Sequence, residues 1–215
     1  MTEKFRPGYL FGEKVTKAER RISAARKIRK FIKDEKSSKT GKGTWTFSET
    51  PLEHYANFGI GPEKLNFKQY LDQKINSKNE KLKVMDVGIG TGAQWLHMKE
   101  KIELWGSSLS GKVHPEIKNN VKRATASNLH KHFPANYFDL AVSDFGTHFQ
   151  EMEAIENILH LLKPGGEAII SGDEISKPEY TKPDMKSIKN LEKLTEIISD
   201  EGREGGFWMI HLRKK

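Results

Sequence analysis

Apolar residues recur along this chain in three different rhythms, and each rhythm predicts a different element. Val15, Ala18, Ile22, Ala25, Ile28 and Ile32 return every three or four positions, with Lys17, Arg20, Arg21, Arg26, Lys27, Lys30 and Lys33 between them. That spacing predicts a basic amphipathic helix over about residues 14–35. Residues 37–43 are polar with two glycines and read as a connector. Residues 45–70 carry Trp45, Phe47, Tyr55, Phe58, Phe67 and Tyr70, broken by Pro51, Gly59, Gly61 and Pro62, which predicts short helices and loops with a helix over about 67–75. Strand and helix patterns alternate from there on. Strands are predicted near 83–88, 102–108, 121–125, 138–144 and 167–172, and helices near 92–100, 114–119 and 151–161, the last stopped by Lys163-Pro164-Gly165-Gly166. Such alternation predicts an α/β domain, a doubly wound and mostly parallel sheet with helices on both faces. Beyond 173 the pattern is divided: Ile188, Leu191, Leu194, Thr195 and Ile198 fit a helix, 194–199 fit a strand equally well, and 207–212 read as a strand after a glycine-rich turn at 202–206.

Charge sharpens this division. The net charge of +8 is carried by the first 44 residues, which hold fourteen Lys or Arg against five Asp or Glu, and the remaining 23 basic and 24 acidic residues balance to −1. At 215 residues the chain suits one substantial core plus an appendage. The expected organisation is a basic helical extension over 1–44, an aromatic-rich lid segment over 45–80 and a nucleotide-binding domain over 81–215. With no cysteine, the chain forms no disulfide framework and has no thiolate nucleophile or Cys-based zinc site. No apolar run approaches the roughly 20 residues of a membrane span, so a soluble cytoplasmic protein is the default expectation. His97, His114, His130, His132 and His160 show no metal-ligand spacing, and no metal site is expected.

The stretch 84–92, Val-Met-Asp-Val-Gly-Ile-Gly-Thr-Gly, runs an apolar strand into a glycine-rich turn with Asp86 just before it. Apolar residues without polar alternation predict a strand buried on both faces. Glycines at alternate positions permit positive φ and let a ligand approach the backbone, and the N–H groups opening the next helix are expected to face that ligand. Gly88-x-Gly90-x-x-Ala93 also passes as a loose dinucleotide fingerprint, but the acid that such a site wants about 20 residues on is absent, position 108 being a serine.

The later segments settle the comparison: Trp105-Gly106-Ser107-Ser108-Leu109-Ser110, Ala126-Ser127-Asn128-Leu129, Tyr137-Phe138-Asp139-Leu140-Ala141-Val142-Ser143-Asp144 and Leu161-Leu162-Lys163-Pro164-Gly165-Gly166 follow in order. This succession resembles the class I S-adenosylmethionine-dependent methyltransferases over about residues 80–173. The resemblance implies a Rossmann-like, seven-stranded-type sheet ending in an antiparallel hairpin, of which one strand is expected to be short or missing here. It implies S-adenosylmethionine as cofactor, held by Asp86, Gly88, Gly90 and Gly92, by Ser108 and Leu109 after strand two, by Thr125 and Ala126 after strand three, and by Ser143. Two positions depart from the family. Ser108 stands where a carboxylate usually accepts the ribose hydroxyls, and Thr125 where an acid faces the adenine. Charge-assisted hydrogen bonds are about twice as strong as neutral ones, so weaker cofactor binding is expected.

The loop after strand four, where this family commonly brings its acceptor, offers Asp144 and His148 as general bases. The competing roles are a helix or turn cap for Asp144 and a packed or solvent-facing position for His148. The Asp/Asn-Pro-Pro-Tyr-like motif of amine methylation on nucleobases is absent. The methyl acceptor is not named by the sequence. The basic helix fits RNA, a protein partner, or a purely structural lid, with RNA slightly favoured because Trp45, Phe47 and Tyr55 are available to stack on bases. A catalytically impaired methyltransferase-like binding module is the alternative to the enzyme, motivated by Ser108 and Thr125.

Overall fold

The computed structural model describes residues 9–10, 13–14, 51–55, 59–109, 112–144, 146, 151–173, 193–202 and 207–215. The basic helix predicted beyond Lys14, the connector at 37–43, Trp45, Phe47, Phe58, His148 and the helix-compatible positions Ile188 and Leu191 lie outside them. Within the extension, Tyr9–Leu10 pairs antiparallel with Glu13–Lys14.

The rest is built on seven strands: β1 (Leu82–Val87), β2 (Ile102–Ser107), β3 (Val121–Lys122), β4 (Phe138–Asp144), β5 (Leu162–Asp173), β6 (Thr195–Gly202) and β7 (Phe207–Lys214). They form one sheet in the order β3-β2-β1-β4-β5-β7-β6. β1 to β5 run parallel and β7 lies antiparallel between β5 and β6. The doubly wound α/β fold expected from the alternation is therefore present. β1 sits at its centre with every residue but Lys83 buried, because strands in a parallel sheet are covered on both faces.

Each face has its own core. Met85, Val87 and Ala141 meet Ile155, Ile158 and Leu159 of helix α2 (Glu151–Leu161) on one side. On the other, Val84, Leu140, Val142 and Ile169 meet Leu52, Tyr55, Trp95 and helix α1 (Phe67–Asn76). α1 starts where the sequence can cap it: Asn66 Oδ1 accepts from the Gln69 N–H at 2.9 Å and Gln69 Oε1 from the Asn66 N–H at 3.0 Å. Phe67, Tyr70 and Leu71 then fall on one side at helical spacing and are buried.

Several predicted elements change form. The helices expected near 92–100 and 114–119 are 3₁₀ turns, Ala93–Met98 and Lys118–Asn120, and a further turn at Ala126–Lys131 was not anticipated. In the first, the buried residues Trp95 and Met98 are three apart, the period of a 3₁₀ turn. β3 has two residues where five were expected, and the Asn120 side-chain amide bonds the Leu104 carbonyl at 3.0 Å beside it. β5 begins five residues early. Its pairing with β4 jumps from Phe138↔Leu162 to Leu140↔Glu167, so the Pro164-Gly165 segment, with φ of +77° at Gly165, is absorbed as a bulge in the strand. The C-terminal hairpin is complete, with eight residues in each strand, and the helix-compatible reading of Thr195 and Ile198 gives way to β6. Among the described residues no helix is long and apolar enough to cross a membrane.

Candidate functional site

The register brings the ends of three parallel strands together. Asp86 of β1 lies beside Gly106 of β2 and Val142 of β4, so the glycine turn after β1, Ser107 at the end of β2 with Ser108 after it, and Ser143 and Asp144 of β4 share the carboxyl edge of the sheet. In open α/β sheets ligands lie outside that edge, where the connections on either side diverge.

Gly88, Gly90 and Gly92 have φ of +90°, +63° and +72°, the left-handed region that glycine enters without strain and most other residues avoid. A Cβ on Gly88 would stand 2.5 Å from the Cα of Gly146, and one on Gly92 2.0 Å from Cδ1 of Ile117. The turn is thus pinched between the loop after β4 and the segment after β2. Three of its N–H groups are used within the chain: those of Gly88 and Ile89 both donate to the Ser107 carbonyl at 3.0 Å, and that of Gly92 to the Ile89 carbonyl at 3.0 Å. The glycines let the backbone be approached closely.

Asp86 is 1% exposed. Its Oδ2 accepts from the Trp95 indole N–H at 2.6 Å and from the Tyr55 hydroxyl at 3.0 Å. Tyr55, Phe67 and Trp95 pack around it with ring centroids 5.5 to 6.0 Å apart. Both of these donors are neutral, and Asp144 adds a like charge nearby. Burial, with that repulsion as a smaller part, pushes the Asp86 carboxyl from its ordinary 3.8 up to about 7. The Gln94 amide nitrogen donates to the Ile89 carbonyl at 3.3 Å, which fixes the orientation of the amide, and its buried Oε1 has no hydrogen-bond partner.

The other predicted residues are placed as follows. Ser108 is buried, and its hydroxyl donates to the Gly90 carbonyl at 3.2 Å. Ser143 is buried, with its hydroxyl on the Val87 carbonyl at 3.1 Å. Asp144 is half-buried and accepts from the Ser171 hydroxyl at 2.6 Å. Thr125 opens the 3₁₀ turn that begins at Ala126: its N–H bonds Asn128 Oδ1 at 2.9 Å, and its hydroxyl lies 3.2 Å from that of Ser127. Leu109 is half-buried after β2. Asp86, Gly88, Gly90, Gly92, Ser108, Ser143 and Asp144 are brought to one edge. Tyr55, Gln94 and Trp95 join them and were missed. Trp95 had a signal, being the first large apolar residue after the glycine turn, whereas Tyr55 is 31 positions from its partner.

The acceptors Asp86, Asp144 and the Gln94 oxygen, beside a turn whose three glycines carry no side chain, fit a nucleoside that carries positive charge. Residues 85–170 match the protein family described as methyltransferase domain. No curated protein matches the chain. Among solved structures, 1,6-didemethyltoxoflavin-N1-methyltransferase of Burkholderia thailandensis, with 1,6-didemethyltoxoflavin and S-adenosylhomocysteine bound, is similar at a TM-score of 0.62 and 17% identity, covering 94% of this chain and 92% of its own. A TehB-like SAM-dependent methyltransferase of Corynebacterium glutamicum gives 0.51 and 17% over 68% of this chain and 86% of its own. An S-adenosylmethionine-dependent methyltransferase of Mesorhizobium loti gives 0.51 and 15% over 66% and 96%. At these identities the likeness is one of fold.

Proposed function

Because residues 85–170 match a methyltransferase domain and the sheet has the class I Rossmann-like order, we propose that this protein binds S-adenosylmethionine at the turn after β1 and transfers its methyl group to an acceptor presented beyond β4. The cofactor supplies a methyl already activated on a sulfonium, which leaves binding and alignment to the protein. The observation that carries the reading is the Asp86 site: a buried carboxylate with two neutral donors, a second carboxylate nearby and an orphan amide oxygen, next to a turn with three positive-φ glycines. Asp86 and Gln94 would meet the cationic methionine end, the glycines would admit the ribose to the backbone, and Ser108, Leu109, Thr125, Ala126 and Ser143 would border the nucleoside. Ser108 acts indirectly, by holding the Gly90 carbonyl. Asp144 is the general base on the acceptor side, with His148 as its proposed companion.

The similar Burkholderia enzyme is named for a small heterocyclic substrate; the basic extension of this chain suggests a larger, polyanionic acceptor such as RNA, with a protein complex as the other candidate. Deleting residues 1–36 is expected to weaken RNA binding and to flatten its salt dependence, as read by fluorescence anisotropy. Calorimetric titration with S-adenosylmethionine tests the cofactor reading. Gly90→Asn is the informative variant, because asparagine tolerates the left-handed region while adding bulk. It is expected to lose at least tenfold in affinity with a melting temperature within a few degrees of the parent. Undiminished binding would count against the turn as the cradle, and a wild-type chain that binds no cofactor would favour the impaired binding module.

A further inference from the structure

Charge in the α/β part balances in the sequence but not in space. Between Glu116 and Asp139 the chain has no carboxylate, yet it carries Lys118, Lys122, Arg123 and Lys131. Elsewhere among the described residues the cations Lys64, Lys68, Lys74, Lys78, Lys99, Lys163 and Arg213 each sit in an ion pair. Lys118, Lys122, Arg123 and Lys131 are in none and are exposed; Lys81 and Lys101, also exposed and in none, stand apart from them just before the first residues of β1 and β2, and Lys193 just before β6. Their place in the fold is specific. Lys122 belongs to β3, the outermost strand on this side of the sheet, with Lys118 in the turn before it and Arg123 just after. The same segment is tied to the cofactor turn, since the His114 N–H donates to the Thr91 carbonyl at 2.8 Å and Ile117 abuts Gly92.

We propose that this outer edge, formed by Lys118, Lys122 and Arg123, with Lys131 following at the end of the next turn, is a contact surface for the phosphate backbone of RNA, leading the strand toward the glycine turn. The inference deepens the methyltransferase reading by naming the acceptor class, and rests on that reading for what happens at the turn, though not for the binding itself. Nucleic acid suits the edge better than a protein does. Protein interfaces are centred on apolar and aromatic groups, whereas the one large apolar residue exposed among the described residues is Leu194, on the opposite hairpin. Phosphate contacts need only cations and small polar groups, and Asn119, His130 and His132 are exposed beside the four cations.

The test uses the full chain and a fluorescein-labelled single-stranded RNA of about 20 nucleotides, read by anisotropy from 50 to 200 mM salt. The variant carries Lys118→Ser, Lys122→Ser and Arg123→Ser. Three lost contacts are expected to weaken binding at least tenfold at low salt and to lower the slope of log K against log salt by about 2, at roughly 0.7 per single-strand phosphate contact. The charge-retaining Lys118→Arg, Lys122→Arg and Arg123→Lys variant should bind like the parent. The basic extension is common to all three proteins, so the difference reports the edge. An unchanged affinity and slope in the serine variant overturns the proposal, as does a parent chain that does not bind this RNA, whether or not it binds a duplex DNA of equal length. Calorimetric titration of the serine variant with S-adenosylmethionine separates the two readings: retained cofactor binding leaves the methyltransferase assignment standing when the edge fails.

Discussion

Replacing Asp86 with asparagine is expected to weaken S-adenosylmethionine binding by roughly ten- to hundredfold while making the cofactor-free protein more stable above pH 7. Both effects follow from one placement. The carboxylate is buried against two neutral donors, Trp95 and Tyr55, and burial lifts its ionisation from 3.8 to about 7. In the unfolded chain the same group ionises near pH 4. Between about pH 4 and 7 the folded protein therefore holds a proton that the unfolded chain has released. The group's contribution is most favourable below pH 4, declines as pH rises through 7 and is constant above it. At about 1.4 kcal/mol per pH unit the burden at pH 8 is about 4 kcal/mol. Asparagine keeps an oxygen for the Trp95 and Tyr55 donors without the charge. Thermal melts of the cofactor-free proteins from pH 4 to 9 should show the variant gaining on the parent as pH rises, with calorimetry showing the loss of affinity. A cationic cofactor beside Asp86 favours its ionised form, so parental affinity should also rise between pH 6 and 8. Parallel melting curves in the two proteins across pH 4–9 would sink the account.

Glu167→Ala should have the largest effect on stability. Glu167, at the start of the regular part of β5, is 4% exposed and gathers five donors from two elements. Tyr70 and Lys74 reach it from α1, the latter at 2.9 Å, while His211 at 3.1 Å and the Arg213 Nε and Nη2 at 3.1 and 3.0 Å reach it from β7. Burial alone would raise its carboxyl, but the hydrogen bonds from His211, Tyr70 and Lys74 outweigh that and hold it well below the usual carboxylate range. Removing the acid strands His211 and Tyr70 in the core. The cost of breaking a buried pair is 3–5 kcal/mol, and with Lys74 and Arg213 partly exposed about 3 kcal/mol is the better figure. That corresponds to a drop of roughly 6–12 °C in melting temperature for a chain of this size. Glu167→Gln should recover part of it. The pH dependence is opposite to that at Asp86: this stability is present above pH 4.5 and is lost as pH falls below it, so parent and variant should converge in acid. A variant melting within 2 °C of the parent at pH 7 would show that the clamp does not fasten α1 to the sheet.

What could be read in advance depended on the range of the interaction. β1 and β4 were legible because a strand buried on both faces must be apolar without alternation, and the glycine turn because three alternating glycines have few other uses. The start of α1 was legible from its apolar spacing. The C-terminal hairpin was ambiguous because Thr195 and Ile198 satisfy a helical spacing as well as a strand, and pairing with β7 decides between them. The 3₁₀ turns escaped because a one- or two-turn segment carries too few residues to show a period.

The chain's order of apolar runs, glycines and capping residues determined on its own that a doubly wound sheet would form with a left-handed glycine turn after its first strand, since these are constraints between near neighbours. Only the tertiary structure decided that Tyr55 closes over Asp86 from 31 residues away, that Ser108 holds the Gly90 carbonyl, and that Lys122, with Lys118 and Arg123 beside it, falls on the outermost strand of the sheet. Those outcomes depend on which strand lies beside which, and a pairing between distant segments leaves no period in the sequence.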